Sequence, residues 1–222
     1  MSHKTRAFRP HVKGEPMIAG LIYAGGQATR LGGLDKPLLA LAGVPLVAWS
    51  LARLSPQVER VAIVTRGDPA RFAGFPADVI VDPQAAQTPW GPIGGLLAGL
   101  EWARGVGAMG LATAPADAPF LPTDLVARLA AAGSCAMAEG PTGKEPACAL
   151  WPVAQAHRIA DLANSGERAL WAIAKALDAA PVVFPNADPP PFFNINTPHD
   201  VISAEAVLAC YSLRPPRFWD EV

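Results

Sequence analysis

Apolar positions along the chain fall into two alternating patterns. Short runs that are apolar at nearly every residue occur at MIAGLIYA (17–24), RVAIVT (60–65), DVIV (78–81), MGLATA (109–114), SCAMAE (134–139), ACALW (147–151) and PVVF (181–184), with FFNIN (192–196) a weaker instance. Their length predicts strands, and the lack of a polar face predicts strands covered on both sides. Between them, apolar residues recur at helical spacing in PLVAWSLARL (45–54), IGGLLAGLEWA (93–103), DLVARLAAA (124–132), ALWAIAKAL (169–177) and DVISAEAVLA (200–209). This βα alternation predicts a three-layer α/β domain with a mostly parallel central sheet. The order is less regular after about residue 134, where strand-like segments follow one another. PNADPPP (185–191) reads as a rigid loop within the domain.

Composition narrows the class. With 222 residues, 51% of them hydrophobic and 17% charged, the chain suits one well-buried domain, expected over residues 17–210. Residues 1–16 are polar and basic without an apolar signal-peptide core and read as an extension; residues 211–222 read as a tail. A net charge of −1 excludes the broad basic surface of a nucleic-acid binder. No apolar run approaches the roughly 18 residues of a membrane span. Cys135, Cys148 and Cys210 form no CxxC pair and read as buried thiols of a cytoplasmic protein.

The candidate chemistry begins after the first strand, in YAGGQATRLGGLDKPLLALAG (23–43). In a parallel sheet, ligands bind beyond the carboxyl ends of strands. Bare backbone at Gly25, Gly26 and Gly33, reached from Tyr23 and Ala24, would let N–H groups face an anion. Arg30 and Lys36 add fixed positive charge. The loop therefore reads as a polyphosphate cradle, the plain alternative being a glycine turn with two solvated cations. It is not a Walker loop, because Lys36 stands between Asp35 and Pro37, and its glycines do not spell a dinucleotide fingerprint.

Three further segments supply polar groups. Asp117 in TAPADAPFLP follows a predicted buried strand, between prolines, where a carboxylate could hold Mg²⁺ against triphosphate oxygens or simply make a turn. Asn194 and Asn196, two apart, would share one face of a strand, and their amide oxygens could complete a magnesium shell; turn structure before Thr197-Pro198 is the alternative. Asp82 follows DVIV as a ligand contact or an ordinary Asp-Pro turn. Asp124 reads as a helix cap. His157 and His199 lack partners at ligand spacing. Trp49, Trp102 and Trp171 read as core, while Trp90 and glycines 91, 94, 95 and 99 could shelter a ligand or permit close packing.

These segments together resemble a known family. AGGQATRLGGLDKPLLALAG is similar to the AGGxxxRxGGxDKxLxxxxG signature of the nucleotidyltransferases that attach a nucleoside monophosphate to molybdopterin, the guanylyltransferases above all. WGPIGGLLAGL (90–100), TAPADAPFLP (113–122), EPACALW (145–151) and FFNINTPHD (192–200) resemble that family's GPLAGM, PxDxPFLP, HPxxALW and NxNTPED segments, in the same order. The resemblance covers roughly residues 17 to 205. It implies a Rossmann-like nucleotidyltransferase fold and transfer of GMP from GTP to molybdopterin with release of pyrophosphate, dependent on Mg²⁺. It implies Arg30, Lys36 and Asp117 as catalytic groups, and Tyr23, Ala24, Gly25, Gly26, Gly33, Lys36, Asp82 and Asp117 around the nucleotide. Asp117, Asn194 and Asn196 would hold the metal. The partners implied are the two small-molecule substrates and proteins that deliver molybdopterin or receive the finished cofactor, with no nucleic acid and no membrane. Two positions depart from the pattern: Val64 stands where the family has an asparagine near the nucleotide, with Thr65 or the backbone at Tyr23 and Ala24 as substitutes, and Glu145 stands where it often has histidine. A cytidylyltransferase of the same cofactor, a sugar-phosphate nucleotidyltransferase and a non-catalytic nucleotide-binding module remain the alternatives.

Overall fold

The computed structural model describes residues 16–25, 27–28, 34–83 and 90–216. Seven strands form one sheet: β1 (Ile18–Tyr23), β2 (Arg60–Thr65), β3 (Asp78–Val81), β4 (Gly110–Pro115), β5 (Ala136–Gly140), β6 (Gly143–Pro152) and β7 (Ala180–Val183). They lie in the order β7-β5-β6-β4-β1-β2-β3. Only β6 runs against its neighbours β4 and β5; the other pairings are parallel. The mostly parallel sheet expected from the apolar runs is therefore present, and the irregular stretch after residue 134 is the β5–β6 hairpin. Because the chain builds β2 and β3 on one side of β1 and then returns to place β4 on the other, β1 and β4 flank a topological switch point, with the carboxyl ends of β1 to β4 on one edge.

Six helices cover the sheet: α1 (Leu46–Leu54), α2 (Pro92–Gly105), α3 (Leu125–Ala132), α4 (Ala156–Asn164), α5 (Leu170–Ala176) and α6 (Pro198–Cys210). Strand residues alternate between two cores, as a period of two demands. Ile18, Ile22, Val61, Ile63, Ala112 and Leu150 join the core under α1, α3 and α6. Ala19, Leu21, Ala62, Val64, Leu111 and Trp151 join the one under α2, α4 and α5. Continuous apolar strands are the result.

Where the chain departs from its apolar pattern the reasons are local. Helix α4 was not anticipated from the sequence; Ile159 and Ala163 are its buried residues. FFNIN is not a strand: residues 193–196 form an irregular segment packed beneath the sheet edge, so the shared-face argument for Asn194 and Asn196 does not apply. Trp171 is 49% exposed rather than core, and Cys210 is exposed while Cys148 is buried. Asp124 occupies the cap position of α3 without a capping hydrogen bond; its carboxylate instead lies 3.8 Å from Arg128.

One buried polar link crosses the centre of the sheet. Thr113 of β4, fully buried, accepts a hydrogen bond from the Trp151 indole N–H at 3.0 Å and donates to the Ala149 carbonyl at 3.3 Å. Thr113→Val keeps the shape but strands the indole N–H, which should lower stability by about 1–3 kcal/mol. Urea unfolding checks this, and an unchanged midpoint would show that the link contributes nothing.

Candidate active site

The structure gathers three of the anticipated residues at the switch point. Lys36 opens a single 3-10 turn, Lys36–Leu38, pinned by buried Pro37. Its ammonium donates to the Asp117 carboxylate and, at 2.7 Å, to Asn196 Oδ1. The Lys36 and Asp117 side chains are 14% and 19% exposed, so the pair is sheltered but reachable. Asp117 follows β4 by two residues. The Ala116 N–H holds that turn against the Tyr23 carbonyl at 3.1 Å, and the Ile195 N–H donates to the Asp117 carbonyl at 3.0 Å.

The asparagine loop is held from its far end. Thr197 and Asp200 form a capping box at the start of α6, and the Asp200 carboxylate accepts from the Asn196 and Thr197 N–H groups at 2.8 Å each. Asn196 is thereby aimed at Lys36. Asn194 meets different surroundings: its Oδ1 is buried with no hydrogen-bond partner among the described residues. Asp35, beside Lys36, pairs with Arg71 from the turn after β2 and ties the loop to the sheet edge.

A cavity of about 240 Å³ opens next to this cluster, lined by Tyr23, Gly25, Val64, Thr65, Arg66, Asp82, Gly91, Pro92 and Gly95. Asp82 is 3% exposed and faces the first turn of α2, whose N-terminus favours negative charge. Glycine is required there: a Cβ at Gly94 would sit 2.6 Å from an Asp82 carboxylate oxygen. Gly95 similarly lets α2 approach Val64 and the Tyr23 ring, where a Cβ would stand at 3.3 and 3.4 Å.

Of the other anticipated residues, Ala24 does not line the cavity. Its N–H donates to the Val64 carbonyl at 2.9 Å and is thereby not available to a ligand, while the Tyr23 carbonyl accepts from the Ala116 N–H. Tyr23 contributes its ring, with a buried hydroxyl whose pKa burial pushes up. Thr65, named above as a substitute for the asparagine missing at Val64, is fully buried and accepts from Arg71 at 2.7 Å and from the Gly67 N–H at 3.2 Å, which leaves only its O–H to offer a ligand. Gly26, Arg30 and Gly33 lie outside the described residues, as does most of the N-terminal extension. Arg66 is the residue that sequence reasoning missed; its place directly after β2, at the ligand edge of the sheet, was the available signal.

Glu145 lies on β6 opposite Ala138, where the register then slips before Ala149. The bare backbone of Gly140 makes room for it: a Cβ there would be 3.2 Å from Glu145 Oε1 and 2.9 Å from the Phe192 ring. Burial pushes the Glu145 carboxyl up to about 7. Buried Cys148 is raised well above its ordinary value, first by burial and then by the Glu145 and Asp117 carboxylates, which places both near one thiol. The like charges are reduced by protonation of Glu145 rather than by Lys144, which forms no ion pair among the described residues.

A mostly parallel sheet that gathers such a cluster on its carboxyl edge is a frame on which a nucleotide can be held. The sequence profile of the MobA-like NTP transferase domain matches residues 20–181, and the chain belongs to that family. It is 48% identical over 193 residues to a molybdenum cofactor guanylyltransferase of Cereibacter sphaeroides, covering 86% of this chain and 97% of that protein. It is 45% identical over 188 residues to one of Rhodobacter capsulatus, covering 85% and 95%. Among solved structures, molybdopterin-guanine dinucleotide biosynthesis protein A from Archaeoglobus fulgidus shares the fold with a TM-score of 0.66 at 23% identity, covering 86% of this chain and 99% of that one. A CMP:2-keto-3-deoxy-manno-octonic acid synthetase complexed with CTP shares it at a TM-score of 0.62 and 14% identity, covering 88% and 99%.

The raised Glu145 carboxyl carries a signed pH dependence. Between the ordinary glutamate range and about 7, the unfolded chain has ionised this group while the folded chain keeps the proton. Stability due to Glu145 is therefore lost as pH rises through that window. Thermal melts from about pH 5 to about pH 8 should fall more steeply for the parent than for Glu145→Gln. Parallel curves would count against a buried, protonated Glu145.

Proposed function

We propose that this chain is a molybdenum cofactor guanylyltransferase, moving GMP from GTP onto the terminal phosphate of molybdopterin and releasing pyrophosphate. The observation that carries this reading is the Lys36–Asp117–Asn196 cluster, placed at the switch point beside a nucleoside-sized cavity. The guanylyltransferases to which the chain is similar support GTP as the donor.

In the reaction, an oxygen of the pterin phosphate attacks the α-phosphorus as the bond to the β-phosphate oxygen breaks in line. A phosphate monoester with a second pKa of about 6 is already largely dianionic at neutral pH, so no general base is required. The protein's task is positioning and charge neutralisation. Lys36 would leave Asp117 for the triphosphate, where its charge opposes the negative charge growing on pyrophosphate. Main-chain N–H groups from Gly25, Gly26 and Gly33, with Arg30, would clamp the remaining phosphate oxygens.

The residues fit a magnesium ion. Asp117 offers one carboxylate, Asn196 an amide oxygen already in the cluster, and Asn194 a buried oxygen without a partner among the described residues. A hard-oxygen set with few protein ligands suits Mg²⁺, which retains water and phosphate ligands. Bound there, the ion would supply positive charge that offsets the negative charge of the triphosphate. A Mycobacterium tuberculosis protein of the same fold, with a TM-score of 0.59, is known in complex with manganese. Among the described residues no helix is long and apolar enough to cross a membrane. Free thiols at Cys135, Cys148 and Cys210 support a cytoplasmic setting, where transient contacts would bring molybdopterin and take the product.

Asp117→Ala should retain the parent circular dichroism while pyrophosphate release from GTP and molybdopterin falls at least about a hundredfold. Lys36→Ala should raise KM for GTP and lower kcat together. Near-parent turnover of either variant at saturating Mg²⁺ would remove that residue from the chemistry.

A further inference from the structure

Two of the oxygens assigned above to a magnesium ion are already spanned by a cation of the chain itself. The Lys36 ammonium donates to Asp117 Oδ2 and, at 2.7 Å, to Asn196 Oδ1. It is held over them from both sides. On the preceding residue, Asp35 pairs with Arg71, whose guanidinium also donates to the Thr65 hydroxyl at 2.7 Å and to the Asp68 carbonyl at 3.1 Å. On the following residue, Pro37 is buried in the 3-10 turn. The backbone at Lys36 is thereby braced, and the freedom that remains is in its four-carbon stem.

Resting on the magnesium reading above, we propose that Lys36 bars a divalent ion from Asp117 and Asn196 until a triphosphate draws the ammonium away, so that metal enters with the nucleotide and not ahead of it. Mg²⁺ sits about 2.0–2.1 Å from its oxygen ligands and demands a near-octahedral shell. An ion that close to both oxygens would compete for the place of the ammonium nitrogen, which is in hydrogen-bond contact with the same two atoms. The two cations would repel each other in a partly sheltered site, where water screens them little. Asn194 cannot serve as the anchor instead, because its buried Oδ1 is neutral and offers a single ligand. A triphosphate changes the balance on both sides. It gives the ammonium several charged oxygens in exchange for one carboxylate, and it adds oxygens to the metal shell. Lysine and metal are thus coupled negatively at Asp117, and the coupling is reciprocal: taking the ammonium away must strengthen metal binding.

The test is titration of the full chain with Mn²⁺ in the absence of nucleotide, the free ion being followed by electron paramagnetic resonance and each variant checked by a thermal melt. It reads metal occupancy and not turnover. Lys36→Met and Lys36→Gln should each bind Mn²⁺ at least about tenfold more tightly than the parent, because the competing charge is gone. Lys36→Arg, which keeps a cation opposite Asp117, should stay within about threefold of the parent. Adding Asp117→Asn to Lys36→Met should abolish the gain. The parent gives a second reading that needs no variant: magnesium chloride alone should leave its Tm unchanged, whereas the same salt should raise Tm once GTP is present. Equal Mn²⁺ affinity in the parent and the two neutral variants would overturn the proposal, as would a parent stabilised by magnesium chloride as strongly without GTP as with it. A gain in Lys36→Arg as large as that in Lys36→Met would overturn it too, since charge would then not be what closes the site. A gain that survives Asp117→Asn, or a parent indifferent to magnesium even with GTP, would instead overturn the magnesium reading itself.

Discussion

A lysine shared between a carboxylate and an amide oxygen closes the site, and the rest of the arrangement depends on it. Lys36 meets Asp117 across 81 residues of chain and Asn196 across 160. The ammonium is what makes a carboxylate tolerable at an edge meant for a polyanion, since the two charges offset each other in a partly sheltered place. Each partner is anchored from behind, Asp117 through the Ile195 N–H and Asn196 through the capping box of α6. Three segments that share no local interaction are thus held in register before any ligand arrives, which is what catalysis by positioning requires.

Carboxyl groups around the site are accommodated in more than one way. Asp117 is neutralised by Lys36, and Asp82 lies beside Arg66 at the N-terminus of α2. Glu145, half-buried and without an ion pair among the described residues, is raised by desolvation to about 7. Without these arrangements the edge would repel a triphosphate and a phosphorylated acceptor at once. Gly94 of α2 admits the Asp82 carboxylate, and Gly140 of β5 admits the Phe192 ring and Glu145, whereas Gly95 and Gly99 of α2 admit the Tyr23 ring and the side chains of Val64, Leu21 and Leu111.

The architecture does not choose the base. The same sheet and helices are shared with an Archaeoglobus fulgidus protein of molybdopterin-guanine dinucleotide biosynthesis and with a synthetase that binds CTP. Discrimination between bases therefore rests on individual side chains rather than on the fold.

The strands and five of the helices were legible in the sequence, because burial on both sheet faces writes itself as continuous apolar runs and helical stripes. Lys36, Asp82 and Asp117 were legible as candidates because strand ends and glycine-rich turns mark the ligand edge, whereas Asn196 was reached through a strand reading of FFNIN that the structure does not bear out and through the family resemblance. α4 was not read from the sequence, and the sequence could not show that FFNIN is irregular, since its conformation is imposed by Asp117 and α6. It suggested Thr65 as a polar substitute at Val64, and only the packed structure reveals that Arg71 already holds that hydroxyl while Arg66 faces Asp82. Local pattern determines which segments are buried and where the chain turns. Which polar atoms are taken and which are left for a ligand depends on contacts between residues far apart in the chain, and those exist only once the sheet has closed.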